Sequence, residues 1–143
     1  MASFAELREA IIAVLDDALP DVSLYARVVD RANLPAIVVQ PAEAEFPLEM
    51  GRATDVWQFD LVIMTSFGDV ELAQDQLDAF LSGGGATSVR QIVMHNRQLG
   101  RDDVMVAYVA GMSDYGANFT MAGVENVGCK LRLTVKTKAP DWG

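Results

Sequence analysis

The sequence predicts an α+β fold, a mixed and mostly antiparallel β-sheet packed against an N-terminal helix and two central helices, with a long C-terminal β-hairpin. Three observations predict it. The periodicities run helix, strands, two helices, two strands, a segregated order that fits a sheet with helices packed against it. Trp57, Phe59, Leu61 and Ile63 alternate with residues that include Gln58 and Asp60, so one face of that strand is buried and the other only partly apolar. Near the end, Cys129, Leu131, Leu133 and Val135 alternate with Lys130, Arg132, Thr134 and Lys136, the pattern of a strand with one face inside.

Ser3-Phe4-Ala5-Glu6 matches a capping box, and Phe4, Leu7, Ile11, Val14, Leu15 and Ala18 follow at spacings of three and four, which predicts a helix from about Phe4 to Leu19. Pro20 stops it. Leu24 to Val29 and Ala36 to Gln40 are apolar, β-branched runs separated by Asp30-Arg31-Ala32-Asn33, and they read as two strands adjacent in the sheet. Pro41 to Thr54 fits no regular element: Glu43, Glu45 and Glu49 mix with Phe46, Leu48 and Met50, and Pro47 and Gly51 interrupt the run. A loop of this length has a task or folds over its own core.

After the Asp55 to Thr65 strand, Phe67-Gly68-Asp69 turns the chain. Asp69 is placed to cap a helix with Val70, Ala73, Leu77, Phe80 and Leu81 inward, and Ser82-Gly83-Gly84-Gly85 ends it where glycine accepts left-handed angles. Ser88-Val89-Arg90-Gln91 opens a short third helix with Val89, Ile92 and Val93 inward, ending near Asn96. Val104 to Ala110 is a strand, and the Gly-, Met- and aromatic-rich stretch from Gly111 to Gly128 is too long for a tight turn, extending this strand and the last into a projecting hairpin.

At 143 residues the chain fits one domain, residues 1–143, able to bury a core without staples. Its net charge of −9 repels polyphosphate on average, which argues against extensive DNA binding. The lone Cys129 forms no internal disulfide, and a cytosolic setting is the default expectation. No apolar run reaches the ~20 residues of a spanning helix, and the first residues lack a signal-peptide pattern, so no membrane association is expected. All three lysines fall late, Lys130, Lys136 and Lys138, and join Arg132 in a stripe that either meets an acidic partner or marks a solvated edge strand.

Catalytic signals are weak. Gly111-Met112-Ser113-Asp114-Tyr115-Gly116 departs from a nucleophile elbow because its second glycine comes one residue late, no helix pattern follows, and the sole histidine, His95, precedes the serine. His95 lies in the last turn of a short helix, where imidazole meets exposed carbonyls. Cys129 reads as a small buried hydrophobe, and a zinc site lacks further ligands. Asp16-Asp17, Glu43-x-Glu45 and Asp102-Asp103 are scattered, and Gly83-Gly84-Gly85 lacks the Gly-Lys-Ser/Thr of a phosphate loop. No catalytic, cofactor or metal site is expected, and the chain reads as a non-enzyme.

Taken in order and spacing, the segments resemble a tail terminator protein of long-tailed, siphovirus-like bacteriophages, over roughly Leu7 to Thr137. The likeness rests on Leu7-Arg8-Glu9-Ala10-Ile11, Pro35-Ala36-Ile37-Val38-Val39, and Gly51-Arg52-Ala53-Thr54-Asp55 leading into Trp57-Gln58-Phe59. It continues in the helix from Ala73 to Leu81, in Ser88-Val89, Ser113-Asp114-Tyr115-Gly116 and Gly123-Val124-Glu125, and in the strand from Leu131 to Val135. The resemblance implies a homo-oligomer, a six-membered ring that caps the finished tail tube, ends its growth and presents a surface to the head. Implied partners are the tail tube protein and a head-tail connector or neck protein. DNA passes through the lumen without specific binding, which suits an acidic subunit. The implied location is the virion, at the head-proximal end of the tail, with assembly in the host cytoplasm.

A closed ring needs one patch of a subunit to meet a different patch of its neighbour. The expected contact residues are Phe46, Leu48, Met50 and Arg52 in the first arm and Met112, Tyr115, Phe119 and Met121 in the second, with Lys130, Arg132, Lys136 and Lys138 for an acidic partner. Competing readings are another head-tail adaptor, a tube subunit, a small-molecule-binding module and, weakest, an enzyme.

Overall fold

In the computed structural model of the chain the described residues are 2–26, 35–46, 54–65, 70–121 and 124–138, with side chains at 70–73, 117–121 and 124–126 left undescribed. The elements are α1 (Phe4–Ala18), β1 (Ser23–Tyr25), β2 (Ala36–Glu45), β3 (Thr54–Thr65), α2 (Val70–Leu81), α3 (Val89–His95), β4 (Val104–Met121) and β5 (Val124–Lys138). They form an α+β fold around one five-stranded sheet of order β1-β2-β3-β5-β4. β1 runs parallel to β2, and every other neighbouring pair is antiparallel. The predicted Asp69 cap, the Phe67-Gly68-Asp69 turn and the later part of the Leu24 to Val29 run lie outside the described residues.

α1 forms as its sequence dictates. The Ser3 hydroxyl accepts the Glu6 N–H at 3.2 Å, relieving one of the orphan donors of the first turn. Leu7, Ile11 and Leu15 make one fully buried stripe, each worth about 2 kcal/mol of apolar burial. Ala18, expected on that stripe, is exposed because the helix ends there, with the Leu19 N–H closing onto the Leu15 carbonyl at 2.8 Å ahead of Pro20.

All three helices share one core with one face of the sheet. Leu77 and Phe80 of α2 and Val89, Ile92 and Val93 of α3 pack with Phe59, Leu61, Leu131 and Leu133. The opposite face carries a smaller apolar cluster of Ala36, Val38, Val62 and Met64 beside Tyr25, and is polar further along.

Three further expectations need correction. Pro41 to Glu45 is strand, the outer half of β2, paired with Phe59 to Val56 across a register shift between Pro41 and Glu43. β1 flanks β2 only at Ala36 to Val38, and a proline is tolerated at an edge and at a bulge, where a ladder bond is already missing. β5 is not an edge strand: it lies between β3 and β4, so its lysines stand on the sheet's open face. At the end of α3, Asn96 and not His95 supplies the side-chain cap, its amide donating to the Ile92 carbonyl at 2.9 Å.

Candidate functional site

The described parts of the two arms expected to make contacts, Pro41 to Phe46 and Met112 to Met121, lie toward opposite edges of the sheet. Phe46 follows β2 and is 61% exposed, yet one edge of its ring meets Trp57 at 5.2 Å between centroids and 74° between planes. Trp57 is held from the other direction by Phe4, at 4.9 Å and 85°. The aromatic stack thus anchors Phe46 while leaving most of it in solvent. Leu48, Met50 and Arg52 lie outside the described residues.

On the far edge, β4 continues through the whole second arm, as the hairpin expectation holds. It is paired with β5 from Val104 opposite Thr137 to Met121 opposite Val124, with three register shifts. The largest falls between Ser113 and Ala117, where Asp114 and Gly116 take φ of 56° and 75°. Such a bulge re-aims the side chains it carries. Here it carries Tyr115 to α2, where the phenol donates to Asp78 Oδ1 at 2.6 Å. That hydrogen bond, first among its causes, raises the Tyr115 pKa. Met112, opposite Leu131, is 49% exposed. Phe119 and Met121 are placed in β4 opposite Asn126 and Val124, and nothing further is described of their side chains.

The basic stripe is partly satisfied within the chain. Arg132 Nε meets Asp60 Oδ1 at 3.0 Å across β3, and its guanidinium also donates to Gln58. Lys130 Nζ lies 3.9 Å from Asp114 Oδ2. Lys136 is half-buried on the same face, and Lys138 is exposed at the strand's end. The stripe is therefore in part a cross-strand pairing device.

Sequence reasoning missed a groove between α3 and the edge of β4. Ser88 starts α3 by accepting the Gln91 N–H at 3.2 Å, and because Val89, Ile92 and Val93 turn inward, Arg90 and Met94 are left outside, with Arg97 just beyond the helix. The Ala107 N–H donates to the Arg97 carbonyl at 2.7 Å, which fastens the end of this segment to β4. Three adjoining concavities share these residues: Arg90 and Val109 belong to two of them, as do Met94 and Arg97. Met94 is 65% exposed, and Met105, Tyr108 and Met112 add exposed apolar surface along β4. The signal was the spacing of Arg90 and Met94, four apart on the helix face opposite the buried valines and isoleucine, with Arg97 just past the helix end.

Chemically, this groove is suited to binding. Thioether side chains adapt to irregular apolar partners, and two guanidiniums beside them favour carboxylates. Among the described residues no group of three His, Cys, Asp or Glu is arranged to hold a metal ion. Cys129 is buried in the core, and burial pushes its thiol up to about 11. No described helix is long and apolar enough to cross a membrane. In comparisons with known proteins, no family model matches the chain and no curated protein matches it.

Proposed function

We propose that this chain is a structural subunit of a long-tailed phage particle, a tail terminator. Copies of it join in a ring on the end of the tail tube, halt tube growth and give the head connector a seat through which DNA passes. One observation carries the reading: large apolar side chains stand in solvent at both edges of the same sheet, Phe46 at the β2 end, and Met105 and Met112 along β4 with Met94 of α3 beside them. Exposed apolar surface of this kind marks association sites. Two different patches at opposite edges of one subunit associate head to tail, and such contacts close into rings when the rotation permits. The acidic subunit, at a net charge of −9, is consistent with a channel that lets phosphate slide past.

The test is particle morphology after loss of this protein from the phage. Overlong, uncapped tubes without heads are the expected result. Normal particles overturn the proposal. Electron microscopy of intact virions then separates a terminator, present as one ring at the head-proximal end, from a tube subunit repeated along the tail.

A further inference from the structure

The two edges differ in charge as well as position. The outer half of β2 presents Glu43 and Glu45, both exposed, immediately before the exposed Phe46. The α3–β4 groove presents Arg90 and Arg97 on either side of Met94 in sequence, both exposed. Among the described residues none of these four charged side chains makes an ion pair, whereas Arg101, Lys130 and Arg132 all do. In a chain of net charge −9, two exposed arginines bordering an apolar groove are a local reversal of sign.

We infer that the Glu43–Phe46 segment of one copy docks into the α3–β4 groove of a second copy, Phe46 against Met94 and its neighbouring methionines, Glu43 and Glu45 against Arg90 and Arg97. This rests on the ring-forming reading above and names the contact that closes the ring. The occupant follows from complementarity: the groove offers guanidiniums and thioethers, and the opposite edge of the same sheet supplies carboxylates on its open-face side, Glu43 opposite Gln58 and Glu45 opposite Val56, with the Phe46 ring against Trp57 on its helix-facing side. Phe46 already holds one ring edge against Trp57, so docking buries its remaining surface at little cost in side-chain freedom. Opposite charges at the rim steer the encounter, and the acidic remainder of the surface repels Glu43 and Glu45, which leaves the arginine-bordered groove as their seat.

The contact is made by side chains and not by strand addition. β4 departs from regular pairing at three places, and β2 carries Pro41 and a register shift along its outer half. Bulges and proline are devices that prevent one sheet edge from zipping onto another. Association is thereby limited to the side-chain surface that carries the charge code.

The experiment uses the purified full chain, with light scattering after gel filtration across a range of protein concentrations. Glu43→Lys with Glu45→Lys, and separately Arg90→Glu with Arg97→Glu, are each expected to weaken self-association at least tenfold. An equimolar mixture of the two variants is expected to restore it, because each reversed edge then meets its reversed counterpart and each native edge its native one. Glu43→Gln with Glu45→Gln, a milder change, is expected to weaken assembly and to flatten its salt dependence. Variants that assemble as well as the wild type alone overturn the contact, as does a wild-type chain that stays monomeric throughout. A neutralised variant whose assembly matches the wild type at every salt concentration also overturns it. The ring-capping function is decided apart from this, by the particle morphology of the deletion: overlong tubes with unaffected charge variants leave the function standing and this contact refuted.

Discussion

The indole N–H of Trp57 donates to the hydroxyl of Thr137 at 2.9 Å, tying β3 to β5 inside the core. Thr137 is fully buried, so an indole deprived of this acceptor has no water to turn to. Thr137→Val keeps the shape and removes the acceptor, and it is expected to cost about 1–3 kcal/mol. The urea midpoint, at unchanged slope, measures it. A midpoint equal to that of the wild type contradicts the assignment.

Arg101 grips Asp103 through two hydrogen bonds of 2.8 Å and reaches Glu6 on α1 at 2.9 Å, closing the loop before β4 onto the first helix. The hydrogen bonds from Arg101, the largest cause, hold the Asp103 carboxyl below its ordinary value of 3.8. Stability from this pair is therefore complete above that value and is lost as pH falls through the lowered one. The groups are about a quarter exposed, and the contribution is about 1 kcal/mol at most. Acid unfolding of Asp103→Asn, compared with wild type, is expected to show a shallower loss below pH 3.8. Identical acid limbs argue against the pair.

Cys129 is expected to resist thiol reagents. With its thiol pushed up to about 11, the reactive thiolate at pH 8 is about one part in a thousand, and the side chain is enclosed besides. Ellman's reagent should remain colourless with the native protein and report one thiol in denaturant. Rapid native labelling shows instead that the core opens readily.

Phe59 and Phe46 separate folding from association. Phe59 is fully buried at the centre of the sheet's helix-facing side, and Phe59→Ala is expected to cost about 3–5 kcal/mol. Phe46→Ala loses one edge-to-face contact, about 1 kcal/mol, while reducing self-association in the light-scattering assay. Equal destabilisation by the two substitutions identifies Phe46 as core and removes it from any interface.

The elements most legible in the sequence are those whose signals are local. The Ser3 and Ser88 caps, the Leu7, Ile11 and Leu15 stripe, and the alternation from Cys129 to Val135 each depend on residues within a few positions of one another. What escaped depends on distant neighbours. Alternation in β5 reports a buried face but not the presence of β4 beyond it, so an interior strand reads as an edge. Pro41 looks like a strand breaker until β1 is seen to stop at the level of Val38. The α3–β4 groove joins Met94 to Met112 across a turn and a bulged strand, and no spacing rule links them. The exposure of Phe46, Met112 and Tyr115 was legible because too many apolar residues fell in stretches with no periodic partner.

The hairpin has sides of unequal length. β4 spends 18 residues alongside the 15 of β5, the surplus gathered in its bulges, and Tyr115 fastens the outer margin to α2 through Asp78. A strand that carries bulges bends and twists more than a regular one. The outline of this margin is thus encoded by β4 itself, before any neighbour arrives.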